Sequence, residues 1–262
     1  MRTLLRILGE PQLRAEHVAV VWDSPGGKAA RQAIDPAYKA SREKKGSDFS
    51  SQVEWSRQLV EALGVASVEV EGAEADDVIA TLTRRGVAAG AEVVIVSTDK
   101  DFRQLVGPTV RIYNAQSSPP QGGRWTTAER CEVPPVRFAE YLALRGDDAD
   151  DIEGVRGVGD VTAAELLRER GTLDAVLAWA AGEVAEAVIH ARKPQRHAAA
   201  LLEARERVLR NLRLTQLWDI DAAPQIGALR RRPLDEARWV ALLELLEFKS
   251  LLDEHRQAGR AA

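Results

Sequence analysis

The chain has 262 residues, 45% of them hydrophobic, enough to bury a sizeable core as one large domain or as a domain plus a smaller lobe. Its formal net charge is −4 and Cys131 is the single cysteine, which excludes an internal disulfide and a cysteine-based zinc site. No apolar run approaches the roughly 20 residues needed to span a bilayer, so no membrane partner is expected and a cytoplasmic location is.

Residues 1–8 are amphipathic and lack a small-residue cleavage site, which predicts a helix rather than a signal peptide. Residues 18–22 form a short apolar run before Asp23 and the Pro25-Gly26-Gly27 turn, a buried strand followed by a loop. Residues 28–50 are polar and basic without an apolar face, and are expected to be mobile. Helical spacing runs over 53–63 and stops at Gly64, a suitable C-cap. Residues 68–70 and 92–97 read as strands, with a helix over 75–85 between them. Helices alternating with buried strands predict an α/β fold with a parallel sheet flanked by helices. Acidic residues just beyond two of the strands stand where such sheets bind ligands.

Residues 117–123 read as a loop, and strand signals fade after about residue 135. Helical patterns then cover 136–144, 161–170, 173–180, 198–211 and 235–252. The stretch 186–200, with Arg192, Lys193, Arg196 and His197, is either a basic loop or a helix end. The expected division is an α/β region over 1–135 and a helical region over 136–262.

The acidic residues fall into clusters: Asp23; Glu74, Asp76 and Asp77; Asp99 and Asp101; Asp147 and Asp150. Each lies at the predicted end of an element rather than along a solvated helix face. Hard oxygen ligands suit magnesium or manganese, and a pair of such ions can clamp an in-line phosphodiester displacement. Taken singly, each cluster has a plainer reading: a helix cap for Glu74, Asp76 and Asp77, a turn for Asp99 and Asp101, an acidic loop for Asp147 to Asp151. Gly154-Val155-Arg156-Gly157-Val158-Gly159 precedes a helix that carries Thr162 in its first turn. Such a turn lets the backbone approach another chain closely and offers helix N–H groups to a phosphate. It also serves to pack two helices.

In their order and spacing these residues resemble the 5′ nuclease family, which includes the N-terminal domain of bacterial DNA polymerase I and the phage and eukaryotic flap endonucleases. The strand-plus-Asp motif matches Val20-Val21-Trp22-Asp23, the arch motif Arg31, Tyr38-Lys39 and Arg42, and the Glu-Ala-Asp-Asp motif Glu74 to Asp77. The Asp-Lys-Asp motif matches Asp99-Lys100-Asp101, and the long Gly-Asp to Gly-Val-Gly stretch matches Gly146 to Gly159. The resemblance implies cleavage of DNA that has a free 5′ end, flap or nick, by a protein working as a monomer with two Mg2+ or Mn2+ ions. It implies a helical arch and a C-terminal helix-hairpin-helix. Asp23, Glu74, Asp76 and Asp99 would form the tighter metal site; Asp101, Asp147 and Asp150 would hold the second ion, with Asp77 nearby. Lys39 and Arg42 would contact the scissile phosphate from the arch beside Arg31, and Tyr38 would stack on a base. Gly154, Arg156, Gly157, Val158, Gly159 and Thr162 would hold duplex DNA, with a potassium ion at the turn. A polymerase or ligase partner leaves no readable motif.

Family members open on a strand ending in a metal-binding Asp. Here residues 1–8 resemble the helix that follows it; of a coding start placed too late, a chain shortened in evolution and a first segment supplied by a separate polypeptide, the first is the expectation. Asp151, Glu153 and Val161 replace the usual Asn, Pro and Lys. Two other readings stand beside the nuclease: a DNA-binding protein that has lost catalysis, and an RNA-cutting nuclease of the PIN type.

Overall fold

A computed structural model of the chain describes residues 1–42, 46–116, 124–182 and 194–261. The expected loop at 117–123, and Arg192 and Lys193, lie outside them. In chain order the first elements are α1 (Arg2–Gly9), β1 (Ala19–Val21), α2 (Ala29–Gln32), α3 (Ser47–Ala62), β2 (Ala66–Val68), α4 (Ala75–Ala88) and β3 (Val93–Val96). Then come β4 (Val110–Asn114), β5 (Arg124–Thr126), α5 (Phe138–Arg145), β6 (Gly146–Asp147), β7 (Ile152–Glu153), α6 (Asp160–Arg170) and α7 (Leu173–Ala180). The last are α8 (Pro194–Glu203), α9 (Arg205–Thr215), α10 (Glu236–Leu245) and α11 (Lys249–Ala261). No helix among the described residues is long and apolar enough to cross a membrane.

The chain divides into two units, each discontinuous in sequence: Met1–Trp22, Glu43–Glu69 and Ala222–Ala262 in one, Asp23–Arg42 and Val70–Asp221 in the other. In the first unit β1 pairs in parallel with β2, Val20 opposite Ser67. Leu59, Val60 and Leu63 pack with Trp239, Leu242 and Leu243 and with Leu251 and Leu252. Met1, Leu4, Leu5 and Leu8 join this cluster, the i, i+3, i+4, i+7 stripe that makes α1 a helix with one apolar face. Gly64 has φ +71°, and a Cβ there would lie 2.0 Å from the Arg232 carbonyl oxygen, so both its conformation and its contact require glycine. The helix expected over 235–252 is two helices. Phe248 N–H bonds the Leu243 carbonyl and Glu247 N–H that of Glu244, with Glu247 at φ +53°. This is a Schellman ending on a non-glycine residue. The helix expected over 198–211 likewise breaks, at Ala204.

In the second unit β3 pairs in parallel with β4, and β4 antiparallel with β5. Neither β4 nor β5 was expected. Ala80 of α4 packs with Ile95, Phe102, Val110 and Ile112. A second cluster joins α5, α6, α7, α8 and α9 through Phe138, Leu142, Leu166, Val176, Leu201 and Val208. The buried Asn211 amide donates to the carbonyls of Ala143 and Glu153 and so ties α9 to α5 and to the β6–β7 hairpin. Residues 29–42 are not an open mobile segment. They form the short α2 and a run of turns in which Arg31, Tyr38 and Lys39 are buried.

Gly154 belongs to this hairpin. A Cβ on it would lie 2.1 Å from the Arg145 carbonyl oxygen and 2.6 Å from the Gly146 nitrogen. Backbone packing, rather than contact with another chain, therefore requires this glycine. Gly154→Ala should destabilise the protein by about 3 kcal/mol through overpacking, read as a lower urea midpoint; an unchanged midpoint would contradict this packing.

Candidate metal centre

The first turn of α4 carries Asp76 and Asp77, but neither they nor Glu74 caps the helix with a side chain. Asp23 supplies the bond instead, its Oδ1 accepting from the Ala75 N–H at 3.0 Å. Glu74 is thereby left to face the basic segment. Its Oε2 accepts from Arg31 Nη1 at 2.7 Å and its Oε1 from Lys39 Nζ at 2.5 Å, and the Tyr38 hydroxyl lies 3.2 Å from Oε2. The plain cap reading of this acidic cluster does not describe what these side chains do.

Arg31 organises this corner. Its Nη1 and Nη2 grip Asp77 through both carboxylate oxygens at 2.6 and 2.8 Å. Nε donates to the Leu214 carbonyl at 2.9 Å and Nη2 to that of Gln216 at 2.7 Å. With Glu74 this occupies all five guanidinium donors, in the bidentate geometry that suits arginine. The guanidinium also lies 4.2 Å from the Trp218 ring centroid. Burial alone would lower its pKa, but the Asp77 hydrogen bond and charge raise it above the ordinary value. The expectation that Arg31 binds DNA is corrected: it is 4% exposed and has no donor to spare. Asp77, expected near the metal, has both oxygens taken by Arg31 and the Trp218 N–H, so it anchors Arg31.

Lys39 and Arg42, expected on the helical arch, lie outside helix α2. Lys39 sits in a turn at φ +50°, after Pro36, whose ring disfavours helix in the residue before it. The turn is held against the 149–151 segment. Lys39 N–H bonds the Asp150 carbonyl, Asp151 Oδ2 accepts from Ser41 N–H and Oγ–H, and Arg42 Nη2 lies 2.6 Å from Asp150 Oδ1. Asp151 takes a left-handed conformation, φ +57°, that Asn and Asp tolerate, which accounts for an Asp in place of the usual Asn. Tyr38 is 3% exposed. Its hydroxyl faces Glu74 and Asp150, and burial with the Glu74 charge raises its pKa. Stacking on a base would require the ring to leave this packing.

Asp99 and Asp101 follow β3. The Asp99 carboxylate accepts from the Asp101 N–H at 2.9 Å, an Asx turn that launches the 3-10 segment Asp101–Leu105. Asp147 accepts from the Ala149 N–H and from Lys100 Nζ at 2.7–2.8 Å. Lys100, not singled out from sequence, is thus part of the site; its place between two acids of one motif is the signal that could have found it. Trp218 was also missed, and no local pattern links it to Asp77, 141 residues away.

Ligand oxygens of Asp101, Asp147 and Asp150 lie within 4.8 Å of one another. Asp101 Oδ1 is buried without a hydrogen-bond partner, as an oxygen reserved for a cation would be. An all-oxygen donor set fits a hard divalent ion. Asp23, Glu74, Asp76 and Asp99 do not converge as tightly among the described residues, because Asp23 caps α4 and Glu74 is drawn to Arg31 and Lys39. Burial and then the Asp99 charge push Asp76 up to about 7 and Asp101 up to about 8. Burial also raises Asp150 despite Lys39 and Arg42. Burial of Glu74 acts the same way, but Lys39 and Arg31 outweigh it and hold Glu74 low.

Of the glycine turn, Arg156, Gly157 and Gly159 are exposed and Thr162 half-buried, while Val158 is 2% exposed and belongs to the core with Val155. Val158 is therefore corrected from a DNA contact to a packing residue. Gly157 has φ +82° and open space where a Cβ would stand. The α6 N-terminus lacks a side-chain cap, so its first N–H groups are not taken by one.

Two outcomes follow. Arg31→Met strips the counter-charge from buried Asp77 and one of the two cations from buried Glu74, where Lys39 remains, and should cost about 3–5 kcal/mol in chemical denaturation; near-parental stability would show that the network is dispensable. Asp76 and Asp101 retain protons in the folded protein above the pH at which the unfolded chain releases them, so stability is lost as pH rises through the window from about 4 to about 8. In chelator, the melting temperature should fall by ~5 °C between pH 6 and pH 8.5, and a flat or rising profile would contradict the raised values.

Two family models match the chain: the N-terminal resolvase-like domain of 5′-3′ exonuclease over residues 1–132, and the C-terminal SAM-fold domain of 5′-3′ exonuclease over residues 133–237. DNA polymerase I of Rhizobium leguminosarum is 35% identical over 236 residues, 90% of this chain but 22% of the polymerase, so the chain spans about a fifth of that relative's length. Among solved structures, the zinc-bound 5′-exonuclease of bacteriophage T5 aligns with TM-score 0.65 at 20% identity, covering 93% of this chain and 88% of that one. A flap endonuclease of the same phage, in a pseudo-enzyme-product complex with DNA and metal ions, aligns with TM-score 0.64 at 21% identity, covering 94% and 89%. With both domain models matched in order along it, the chain belongs to the 5′-3′ exonuclease family.

Proposed function

We propose that this chain hydrolyses phosphodiester bonds near the 5′ end, flap or nick of a DNA strand, using two divalent ions, Mg2+ or Mn2+. The observation that carries the reading is the all-oxygen cluster of Asp101, Asp147 and Asp150 with its unpartnered Asp101 oxygen. Family membership supplies the reaction class.

In this reading Asp101, Asp147 and Asp150 would hold one ion, and Asp23, Glu74, Asp76 and Asp99 would hold the other. Such ions supply Lewis-acid polarisation of the phosphoryl oxygen and neutralise charge on the leaving oxygen. The chain's own groups set the conditions for that. With every carboxylate ionised, eight acids (the seven just named and Asp77) face four cations, Arg31, Lys39, Arg42 and Lys100. The surplus of four negative charges equals what two divalent ions neutralise. Lys39, Arg42 and Lys100 each rest on a carboxylate proposed as an ion ligand, and with those carboxylates engaged they would be available to phosphate oxygens. Arg31 and Asp77 keep their mutual bonds and hold Glu74 in place.

The same reading gives the division of labour along the chain: residues 1–135 for cleavage and 136–262 for gripping duplex DNA. Arg156, Gly157, Gly159 and Thr162, with the uncapped start of α6, would form a backbone-directed grip, and a potassium ion held there would supply positive charge beside the phosphate.

Magnesium-dependent cleavage of a 5′-flap duplex, set against a structured RNA of matching shape, tests the assignment. The flap should be cut and the RNA spared, and Asp99→Asn should lower the rate by about 100-fold or more while flap binding persists. Undiminished cutting by Asp99→Asn would overturn the ligand assignment, and preferential cutting of RNA the substrate.

A further inference from the structure

The end of α9 carries a cleft that the metal centre does not use. It encloses about 640 Å3 and is lined by Ala30, Ala33, Ile34, Arg213, Gln216 and Trp218, within the roughly 300–1,000 Å3 typical of small-ligand sites. Ala30, Ala33 and Ile34 give one wall of small aliphatic surface. Trp218 is held at three points, two on the indole and one on the backbone. Nε1 donates to the Arg213 carbonyl at 3.1 Å, the backbone N–H donates to Asp77 Oδ1 at 2.8 Å, and Arg31 lies against the ring at 4.2 Å. A ring held this way gives up little freedom when a flat ligand settles on it.

The polar groups of the cleft are the opposite of Arg31. Arg213 and Gln216 are exposed, and among the described residues neither the guanidinium nor the side-chain amide has an intramolecular partner. The neighbouring Arg207 and Arg210 of the same helix pair with Glu153 and Asp35. A fixed indole, an uncommitted cation and an uncommitted amide thus meet in one cleft. We infer that it binds an unpaired DNA nucleotide. The base lies between the aliphatic wall and the part of Trp218 that Arg31 leaves uncovered, its polar edge reaches the Gln216 amide, and its phosphate pairs with Arg213. Stacking and a phosphate contact of this kind serve single strands without regard to sequence. The inference rests on the DNA reading above and adds a subsite to it.

The test reads binding in chelator, so cleavage plays no part. The probes are a dye-labelled thymidine tetranucleotide and a blunt DNA duplex, with thymidine 5′-monophosphate as competitor. Arg213→Gln with Gln216→Ala removes side chains that hold nothing in the fold, and Trp218→Phe keeps an aromatic ring of reduced area. The double variant should bind the tetranucleotide about tenfold more weakly, equivalent to roughly 1.4 kcal/mol, with duplex affinity retained; Trp218→Phe should shift it in the same direction. Displacement by the monophosphate at equal concentration assigns the cleft to a single nucleotide, and displacement only by a longer strand assigns it to a running 5′ tail; both uphold the base-and-phosphate chemistry. Parental affinity in the double variant overturns the inference. A parent that binds duplex but not the tetranucleotide overturns it while leaving the nuclease reading intact, and a parent that binds neither overturns both.

Discussion

The candidate site depends on one buried arginine. Glu74 and Asp77 are charged, close together and almost wholly removed from water, a combination that is unstable without a counter-charge. Arg31 is the cation that touches both, with two donors to Asp77, one to Glu74 and two to the carbonyls of Leu214 and Gln216, while Lys39 adds a second cation on Glu74. Those carbonyls belong to the end of α9, which Asn211 in turn ties to α5 and the β6–β7 hairpin. The hairpin encloses Asp150. A single side chain thus links the acids at the start of α4 to the scaffold that presents the acids at 147 and 150.

The remaining cations act differently. Lys39 spans Glu74 and Asp150, Arg42 pairs with Asp150 and Lys100 with Asp147, none of them with the full set of donors engaged as in Arg31. Arg42 is exposed and Lys100 half-buried. Permanent bonds within the Arg31 network and exchangeable bonds around it give a centre that survives without ions and still has carboxylates to offer them. Asp76 and Asp101 are raised by burial first and by the Asp99 charge second, and a proton and a metal ion compete for the same oxygens.

Much of this was legible in the sequence because metal chemistry concentrates it locally. Glu74 to Asp77, Asp99 to Asp101 and Asp147 to Asp150 each present their acids within a few residues, at element ends that the apolar pattern marks. The strands at β1 and β3, and the helices α4, α5, α6 and α7, follow from runs and spacing of apolar residues. What was not legible is non-local. Arg31 finds its carbonyl partners 183 and 185 residues away, so a basic, apolar-poor segment was expected to be mobile although ion pairing buries it. Tyr38, an aromatic among polar residues, looked free to stack but is consumed by Glu74 and Asp150. Strand β4 carries Arg111 and Asn114, and β5 has three residues, too little pattern to stand out. The end of α10 at Glu247 is set by backbone bonds that a non-glycine residue does not announce.

The central claim is that the acids are held in surplus so that divalent ions complete the charge balance. Isothermal titration of Mn2+ into the protein at pH 8, repeated at pH 6 and with an Asp101→Asn, Asp147→Asn double variant, tests it most directly. The account predicts about two ions per chain, binding that weakens at pH 6 as protons compete, and loss of one ion in the double variant. Absence of binding at pH 8, or a double variant that titrates like the parent, would contradict it.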